Sequence, residues 1–435
     1  MHSFGVGDKN GPEDRATVRS ASFHAGSPSG LAGDDLVRPI DRWLARLLAR
    51  RLAGAPVGIE LCGAGRLHVA GRPVATVLFR DRLTLADVLL RGSRAFGDAY
   101  ASGRVEVDGD LVALLEALPA ASRPGDRVER WRGRLARLRR AAGIALARRR
   151  VRHHYDLGND FYRLWLDDDL VYTCAYFPRA GLSLEAAQAA KMEHVCRKLR
   201  LQPGESVVEA GCGWGALARY MARRHGVRVT AVNLSESQIR LARELAAREG
   251  LDGRVEFVLD DYRNIRGRYD AFVSVGMLEH VGRSNYRELG RVIDRVLAPN
   301  GRGLLHFIGR NRPAPLDAWI RRRIFPGGYP PTLAEATAGV LEPYDFSVLD
   351  VENLRPHYAE TLRHWLARFD ASAAQVRRVF DERGGDGAAF VRAWRLYLSG
   401  SIAAFTTGTL QLFQVLFARP RADVPRTRAD LYVEA

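Results

Sequence analysis

The chain has only four cysteines, Cys62, Cys174, Cys196 and Cys212, and they show neither paired nor metal-ligand spacing. That argues against a disulfide framework or a cysteine-held metal and points to a reducing, cytoplasmic setting. No run of about twenty uninterrupted apolar residues occurs, so no spanning helix is expected. The longest candidate, 402–418, is broken by Thr406, Thr407, Gly408, Thr409, Gln411 and Gln414. It reads as buried strands. The start of the chain lacks the apolar core of a signal peptide. Lysine is nearly missing, so almost all the basic charge is arginine. No internal repeat is present.

What remains is substantial. The 435 residues suffice for two or three domains, and 47% apolar content supports a sizeable core. The net charge of +16 suits a nucleic acid or an anionic membrane surface. It is equally what a base-composition bias of the source genome produces.

Residues 1–34 are rich in Gly, Ser, Pro and Asp without periodicity, which predicts a disordered tail. A small mixed α+β domain is expected over 35–125. Ile40, Trp43, Leu44, Leu47 and Leu48 share a helical face, 66–69 and 74–79 alternate like strands, and 83–90 and 111–118 read as helices. The arginine-dense segment 126–152 reads as a linker helix, either plainly solvated or lying on anionic lipid. From 153 to 435, β-branched runs alternate with amphipathic stretches. Strands are expected over 227–232, 255–259, 271–275 and 303–308. Helices are expected over 184–199, 237–248 and 286–297. That order predicts an α/β domain with a parallel sheet covered on both faces. Ligands of such sheets bind beyond the carboxyl ends of the strands.

The first strand–loop–helix is the most telling. Val207-Val208-Glu209-Ala210 runs into Gly211-Cys212-Gly213-Trp214-Gly215. Glycine allows a sharp turn and close approach to a ligand. The spacing lacks the lysine of a phosphate-binding P-loop and differs from the GxGxxG of dinucleotide binders. It looks like the loop that holds the methionine part of S-adenosylmethionine (SAM). Trp214 is expected on the buried face of the following helix. Asn233 ends the second strand, where an amide can hold ribose hydroxyls. Asp260, Asp261 and Tyr262 follow the third, where adenine would lie, although either aspartate can also simply cap a turn.

Further strings narrow the reading: Arg152-His153-His154-Tyr155-Asp156-Leu157-Gly158-Asn159-Asp160-Phe161-Tyr162, Val171-Tyr172-Thr173-Cys174-Ala175-Tyr176-Phe177, Ser274-Val275-Gly276-Met277-Leu278-Glu279-His280-Val281-Gly282 and Leu304-Leu305-His306-Phe307-Ile308-Gly309. With the glycine loop they resemble the cyclopropane-fatty-acyl-phospholipid synthase family, which includes the mycolic acid cyclopropane synthases. The likeness continues through Ile324-Phe325-Pro326-Gly327-Gly328, His357-Tyr358-Ala359-Glu360-Thr361-Leu362 and Gln411-Leu412-Phe413-Gln414-Val415. The first domain resembles the N-terminal lipid-binding domain of the bacterial phospholipid enzymes, notably at Phe96-Gly97-Asp98-Ala99-Tyr100 and over 105–118.

The resemblance implies a Rossmann-like class I SAM-dependent methyltransferase that turns a cis double bond of a phospholipid acyl chain into a cyclopropane. The alkene attacks the SAM methyl, a carbocation forms, and loss of a methyl proton closes the ring. Such a site must be apolar and dry, and aromatic faces stabilise a cation. Tyr155, Phe161, Tyr176, Phe177, Trp319 and Phe325 are candidates. In the family a bound bicarbonate is thought to act as base. Its holders here would be Glu279, His306, Tyr358, and Cys174 and Ile308 through their backbones. SAM contacts would carry over to Tyr172, Thr173, Gly211, Gly213, Trp214, Gly215, Asn233, Gln238, Asp261 and Tyr262. Thr173 stands where serine is usual. No metal is implied.

Two departures bear on the product. Ser401 replaces a cysteine, and Thr406 an arginine, of the family's pattern. Acyl methylation or methylenation would need almost the same residues. Two other classes of function make different demands on the sequence. A nucleic-acid methyltransferase would need a polar base-flipping pocket, and Glu279-His280 occupies the place of an amide-methylating string, so no nucleic-acid partner is expected. A non-catalytic lipid binder would be expected to lose Glu279 or His306. The substrate implies docking at the inner membrane surface without spanning it, and 319–325, with Arg321, Arg322 and Arg323 among apolar residues, suits a headgroup layer. A homodimer is compatible with the sequence.

Overall fold

The alternation of buried β-branched runs and amphipathic helices builds two sheets in the computed structural model, which describes residues 38–52, 54–69, 71–118 and 157–431. The expected tail at 1–34 and the basic segment at 126–152 lie outside the described residues. So does Tyr155. Both sheets belong to one compact unit, Val37–Ala435.

The smaller sheet holds β1 (Val57–Leu61), β2 (Gly65–Val69), β3 (Ala75–Phe79) and β4 (Val105–Gly109) in the order β2-β1-β3-β4. Its helices are α1 (Pro39–Arg51), α2 (Arg82–Arg91), α3 (Ser93–Ala101) and α4 (Leu111–Ala117). Asp81 and Asp110 accept backbone N–H groups at the starts of α2 and α4, satisfying donors a helix leaves free.

The larger sheet follows α5 (Asn159–Arg163) and α6 (Leu184–Leu199). Its strands are β5 (Ser206–Ala210), β6 (Arg228–Asn233), β7 (Val255–Leu259), β8 (Tyr269–Val275), β9 (Leu297–Gly309), β10 (Ser347–Asn353) and β11 (Gln411–Ala418). Their spatial order is β10-β11-β9-β8-β5-β6-β7. The five from β9 to β7 are parallel, β11 is antiparallel to β9, and β10 antiparallel to β11. The order reverses at β5, so the crevice past its carboxyl end is the ligand position this topology favours. The covering helices are α7 (Ala216–His225), α8 (Glu236–Arg248), α9 (Leu278–Val281) and α10 (Tyr286–Val296). Later come α11 (Ala318–Arg323), α12 (Leu333–Ala336), α13 (Arg355–Ala371), α14 (Ala373–Glu382) and α15 (Gly387–Thr406). On α10, Leu289, Val292, Ile293 and Val296 are buried, as their spacing predicts.

Three local expectations change. Residues 402–418 are not two strands. Residues 402–406 finish α15, and only β11 is a strand, buried along its whole length. The Thr and Gly residues that break the apolar run form the helix-to-strand turn. Strand β9 begins at Leu297, earlier than expected, with irregular register against β8 between Tyr269 and Ala271. Trp214 precedes α7, which starts at Ala216, and so belongs to the glycine loop.

Helices α3 and α4 lie against α15, and α3 also lies against α11. Arg392 of α15 donates from Nε to Tyr100 O (2.6 Å) and from Nη2 to Val105 O (2.7 Å), with its guanidinium 4.5 Å from the Tyr100 ring centroid. Trp319 of α11 is buried against Gly97 of α3, where a Cβ would sit 2.5 Å from the indole. Arg323 pairs with Asp98 at 2.9 Å. The 319–325 stretch is therefore not an open docking surface throughout: Trp319 faces inward, and Arg321, Arg322 and Arg323 are the exposed side.

Candidate functional site

A cavity of about 460 Å³ opens beyond the carboxyl ends of β5, β6, β7, β8 and β9. Its floor is the glycine loop. Gly211 adopts φ +86° and Gly213 φ +54°, backbone that side-chained residues rarely take. Gly211 donates to Val232 O at 2.8 Å, tying the loop to β6. Gly215 (φ +79°) does not line the cavity. A Cβ there would sit 2.4 Å from Phe257, so its part is to let the loop pack on β7 and α8. The Trp214 indole N–H donates to Asn159 Oδ1 (2.8 Å), which fastens the loop to α5.

Around this floor the strand ends supply polar groups. Asn233 donates from Nδ2 to Gly213 O (3.2 Å) and Gln238 Oε1 (2.8 Å), and its Oδ1 accepts Leu234 N–H. Its amide braces the loop and orients Gln238. Gln238 Nε2 and Asp261 Oδ2 are buried without a hydrogen-bond partner among the described residues. Asp261 Oδ1 accepts the Arg263 N–H at 3.0 Å. Burial pushes the Tyr262 phenol up to about 12. Tyr172 and Thr173 close the other side. The Tyr172 hydroxyl meets Tyr397 Oη at 2.8 Å, and Thr173 Oγ1 accepts from Lys191 Nζ at 3.2 Å.

Glu279 and His306 come from neighbouring strand ends. Glu279 sits in the first turn of α9, just after β8, and is only 8% exposed. Its Oε1 accepts the Ile308 N–H at 2.6 Å, and Oε2 has no partner among the described residues. Desolvation pushes its carboxyl up to about 7. His306, on β9, is 2% exposed. Gln414 Nε2 of β11 meets its Nδ1 at 3.0 Å, an arrangement that leaves the ring proton on Nε2. That Nε2 is buried and has no partner among the described residues. Burial pushes the ring down to about 3, so it is neutral. Tyr358 of α13 lines the same cavity, its ring 4.5 Å from Phe405. Cys174 lines it too. Burial pushes its thiol up, and Sγ donates to Ala175 O at 3.0 Å.

The cavity thus gathers every residue named from the sequence as a bicarbonate or SAM contact except Gly215. The Ile308 N–H, named from the sequence as an anion holder, donates to Glu279 Oε1 and so holds that carboxylate in place. The candidate aromatics separate. Trp319 and Phe325 line the cavity. Phe161 is fully buried core, Tyr176 stacks on His194 (4.4 Å between centroids) and Phe177 stacks on His364 (5.5 Å). The lining also includes Phe96 and Leu115 from the smaller sheet's helices, and Tyr397 and Phe405 from α15. Ser401 faces the cavity, whereas Thr406, exposed at the end of α15, does not.

Three further residues line the cavity: Glu209, which the sequence marks only as the acid before the glycine loop, and Lys191 and Tyr397. Lys191 lies beside Met192 on an apolar helix face, and Tyr397 in an apolar helix, so periodicity alone marks both as packing.

Comparisons with known proteins bear on the family and the fold. The family model "Mycolic acid cyclopropane synthetase" matches residues 145–415. The cyclopropane-fatty-acyl-phospholipid synthase of Escherichia coli K12 is 36% identical over 83% of this chain and 92% of its own. A probable fatty acid methyltransferase of Pseudomonas putida is 34% identical over 87% of this chain and 96% of its own. The solved mycolic acid cyclopropane synthase CmaA1, complexed with SAH and CTAB, superposes with a TM-score of 0.58. It is 30% identical and covers 62% of this chain and 98% of its own.

The chain belongs to the mycolic acid cyclopropane synthetase family. It has the class I methyltransferase fold and is a SAM-dependent methyltransferase. For this synthetase-family member the fit to SAM rests on its own atoms. The orphaned Gln238 Nε2 and Asp261 Oδ2 and the left-handed glycine loop supply a donor, an acceptor and close backbone approach. The aromatic and aliphatic remainder of the lining suits an apolar chain.

Proposed function

We propose that this enzyme transfers a one-carbon unit from SAM to the cis double bond of an unsaturated acyl chain in a membrane phospholipid, giving a cyclopropane. The observation that carries the reading is a buried carboxylate and a buried neutral imidazole, each with one unused polar atom, in a cavity whose lining surface is mostly apolar. Such a lining excludes water, which would otherwise capture a carbocation. The names of the E. coli and P. putida relatives agree with a fatty acyl substrate.

SAM supplies the electrophilic methyl group. The protein's part is to hold the reacting groups and to move one proton. The rings of Tyr358 and Phe405 offer π faces to positive charge on the acyl chain. Glu279 Oε2, His306 Nε2 and the Tyr358 hydroxyl would hold a bicarbonate that accepts the methyl proton. Cys174 would contribute through its backbone, and Ile308 by fixing Glu279. The raised Glu279 carboxyl suits this duty, because a proton shared between carboxyl and anion removes the repulsion between two negative charges. Gln414 keeps the His306 proton on Nε2, the atom that would face the anion.

A second reading is favoured by Ser401, which lines the cavity where the family often has cysteine. A change in the acyl pocket can redirect the cation toward a methyl-branched or methylene product. Lipid analysis after expression in a host without such an enzyme separates these. A gain of one CH2 with ring-specific fragmentation supports cyclopropane. The same gain with a retained double bond supports methylenation. A gain of CH4 supports a reduced methyl branch. Unmodified lipids would overturn the proposal.

The membrane is proposed as the partner because the substrate lies in it. No helix among the described residues is long and apolar enough to cross a membrane, so the proposed contact is peripheral, on the cytoplasmic face.

A further inference from the structure

Beside the catalytic cavity lies a second, more open one of about 910 Å³, bounded by the start of α10, the chain leaving β9, and α12. Arg310 lines both. It directly follows the last residue of β9 and continues the strand, bridging to Thr332. His306, Ile308 and Arg310 therefore share one face of extended chain, and all three line the catalytic cavity. Arg310 stands about 13 Å along the chain beyond the imidazole.

Arg310 is 9% exposed. Its Nε is buried without a hydrogen-bond partner, and no carboxylate is in salt-bridge contact with it, among the described residues. A guanidinium keeps its charge at any working pH, and a buried charge is costly unless something compensates it. The acids that act on it electrostatically are Tyr329 and Asp317. Asp317 is engaged elsewhere: its Oδ1 accepts the Trp319 N–H (2.9 Å) and the Ile320 N–H (3.2 Å) at the start of α11. Arg283 and Arg287 also line the second cavity and are exposed. The one acid of its described lining, Glu335, pairs with Arg283 (3.2 Å) and accepts the Tyr329 hydroxyl (3.0 Å) and the Thr332 N–H (3.0 Å). Tyr286, 2% exposed, adds a buried hydroxyl without a partner among the described residues. Three guanidiniums thus face one carboxylate that is already engaged, and the most buried of the three is shared with the catalytic cavity.

We propose that Arg310, Arg287 and Arg283 form a phosphate receptor, and that its ligand is the headgroup phosphate of the lipid whose acyl chain enters the catalytic cavity past Arg310. The inference rests on the phospholipid reading above and assigns the end of the substrate which that reading leaves unplaced. A phosphodiester offers two free oxygens sharing one negative charge, which matches the planar fork of a guanidinium. The two-residue period of the strand then sets one line through the substrate: phosphate at Arg310, acyl chain along Ile308, double bond near His306.

The test uses the full-length protein, SAM and dioleoylphosphatidylcholine dispersed in a neutral detergent. That lipid has no net charge, so general attraction to a basic surface drops out. Arg310→Gln should raise KM for the lipid about ten-fold or more, with a much smaller fall in kcat, because the phosphate anchors and does not react. Arg310→Lys, which keeps the charge and loses the fork, should recover part of the loss. Arg287→Gln should raise KM in the same direction by less. The soluble headgroup sn-glycero-3-phosphocholine should compete with the lipid in the wild type and lose that effect in Arg310→Gln. Retained binding of S-adenosylhomocysteine (SAH) certifies the fold of each variant. If Arg310→Gln fails that check, the exposed Arg287→Gln carries the comparison. Unchanged KM, a loss confined to kcat, or no competition by the soluble headgroup would overturn the receptor. Arg310-dependent binding of inorganic phosphate, with lipid KM unmoved by the variants, would reassign the site to free phosphate and overturn its role toward lipid. A wild type that leaves the lipid unmodified, yet binds sn-glycero-3-phosphocholine through Arg310, would overturn the acyl reaction and support the receptor.

Discussion

At the scale of the residue, the site works by withholding water from a few polar groups. Glu279 and His306 are ordinary titratable side chains placed where their charged forms are disfavoured. The folded Glu279 carboxyl, near 7, lies above its reference value of 4.5. Folding therefore favours the protonated form: this stabilisation is full below about pH 4.5 and is lost as pH rises through about 7. The shift corresponds to about 3 kcal/mol at alkaline pH. Glu279→Gln has no such titration. The variant should therefore gain stability relative to the wild type between about pH 5 and about pH 8, while losing turnover. Urea unfolding of both proteins across that range checks it, and parallel profiles would refute the burial argument. These two residues were legible in the sequence because the strings around them resemble a family. Lys191 and Arg310 were not. Nothing in a helical or strand period distinguishes a buried charge that serves a ligand from one that the core happens to tolerate.

At the scale of the element, the glycine loop shows how local geometry becomes a binding surface. Gly211 and Gly213 take left-handed backbone so that the chain can turn beneath the ligand, while Gly215 takes it so that Phe257 and Ala242 can pack close. Gly215→Ala meets both a strained φ and a 2.4 Å approach to Phe257. It should cost about 1–3 kcal/mol and weaken SAH binding by disturbing the loop from behind. Thermal unfolding and calorimetry test this, and an unchanged melting temperature would contradict it. The alternation of strands and helices from 184 to 309 was readable from apolar spacing, as the buried face of α10 illustrates. The apolar stretch at 402–418 was misread. A buried helix end and a doubly buried strand share one composition, and only the turn at 407–410, seen in place, separates them. Strand β1 and helix α3 passed unnoticed in short segments with weak periodicity.

At the scale of the whole molecule, the cavity is completed by helices that carry the smaller sheet. Phe96, Gly97 and Leu115 reach its wall, and Trp319 packs into the notch at Gly97. That closure was only half visible in the sequence: the Phe96-Gly97-Asp98 string was noticed, but contact across more than two hundred residues leaves no local pattern. The same packing revises the proposed docking surface. Trp319 is spoken for and Arg323 is paired with Asp98, which leaves Arg321 and Arg322 exposed for anionic headgroups. Arg321→Glu with Arg322→Glu should lower binding to anionic vesicles by about ten-fold or more, at roughly 1 kcal/mol per cationic residue, and leave SAH binding unchanged. Unaltered vesicle binding would count against this face as the proposed membrane contact.

The central claim is that a methyl is delivered to an acyl double bond and then gives up a proton inside a dry pocket. It is tested most directly by incubating the purified protein with vesicles of a cis-unsaturated phospholipid and SAM bearing a CD3 group, and reading the product by mass spectrometry and proton NMR. The account predicts a lipid that has gained CD2, with high-field cyclopropane signals. A product that keeps the intact CD3 group, or no labelled lipid at all, would contradict it.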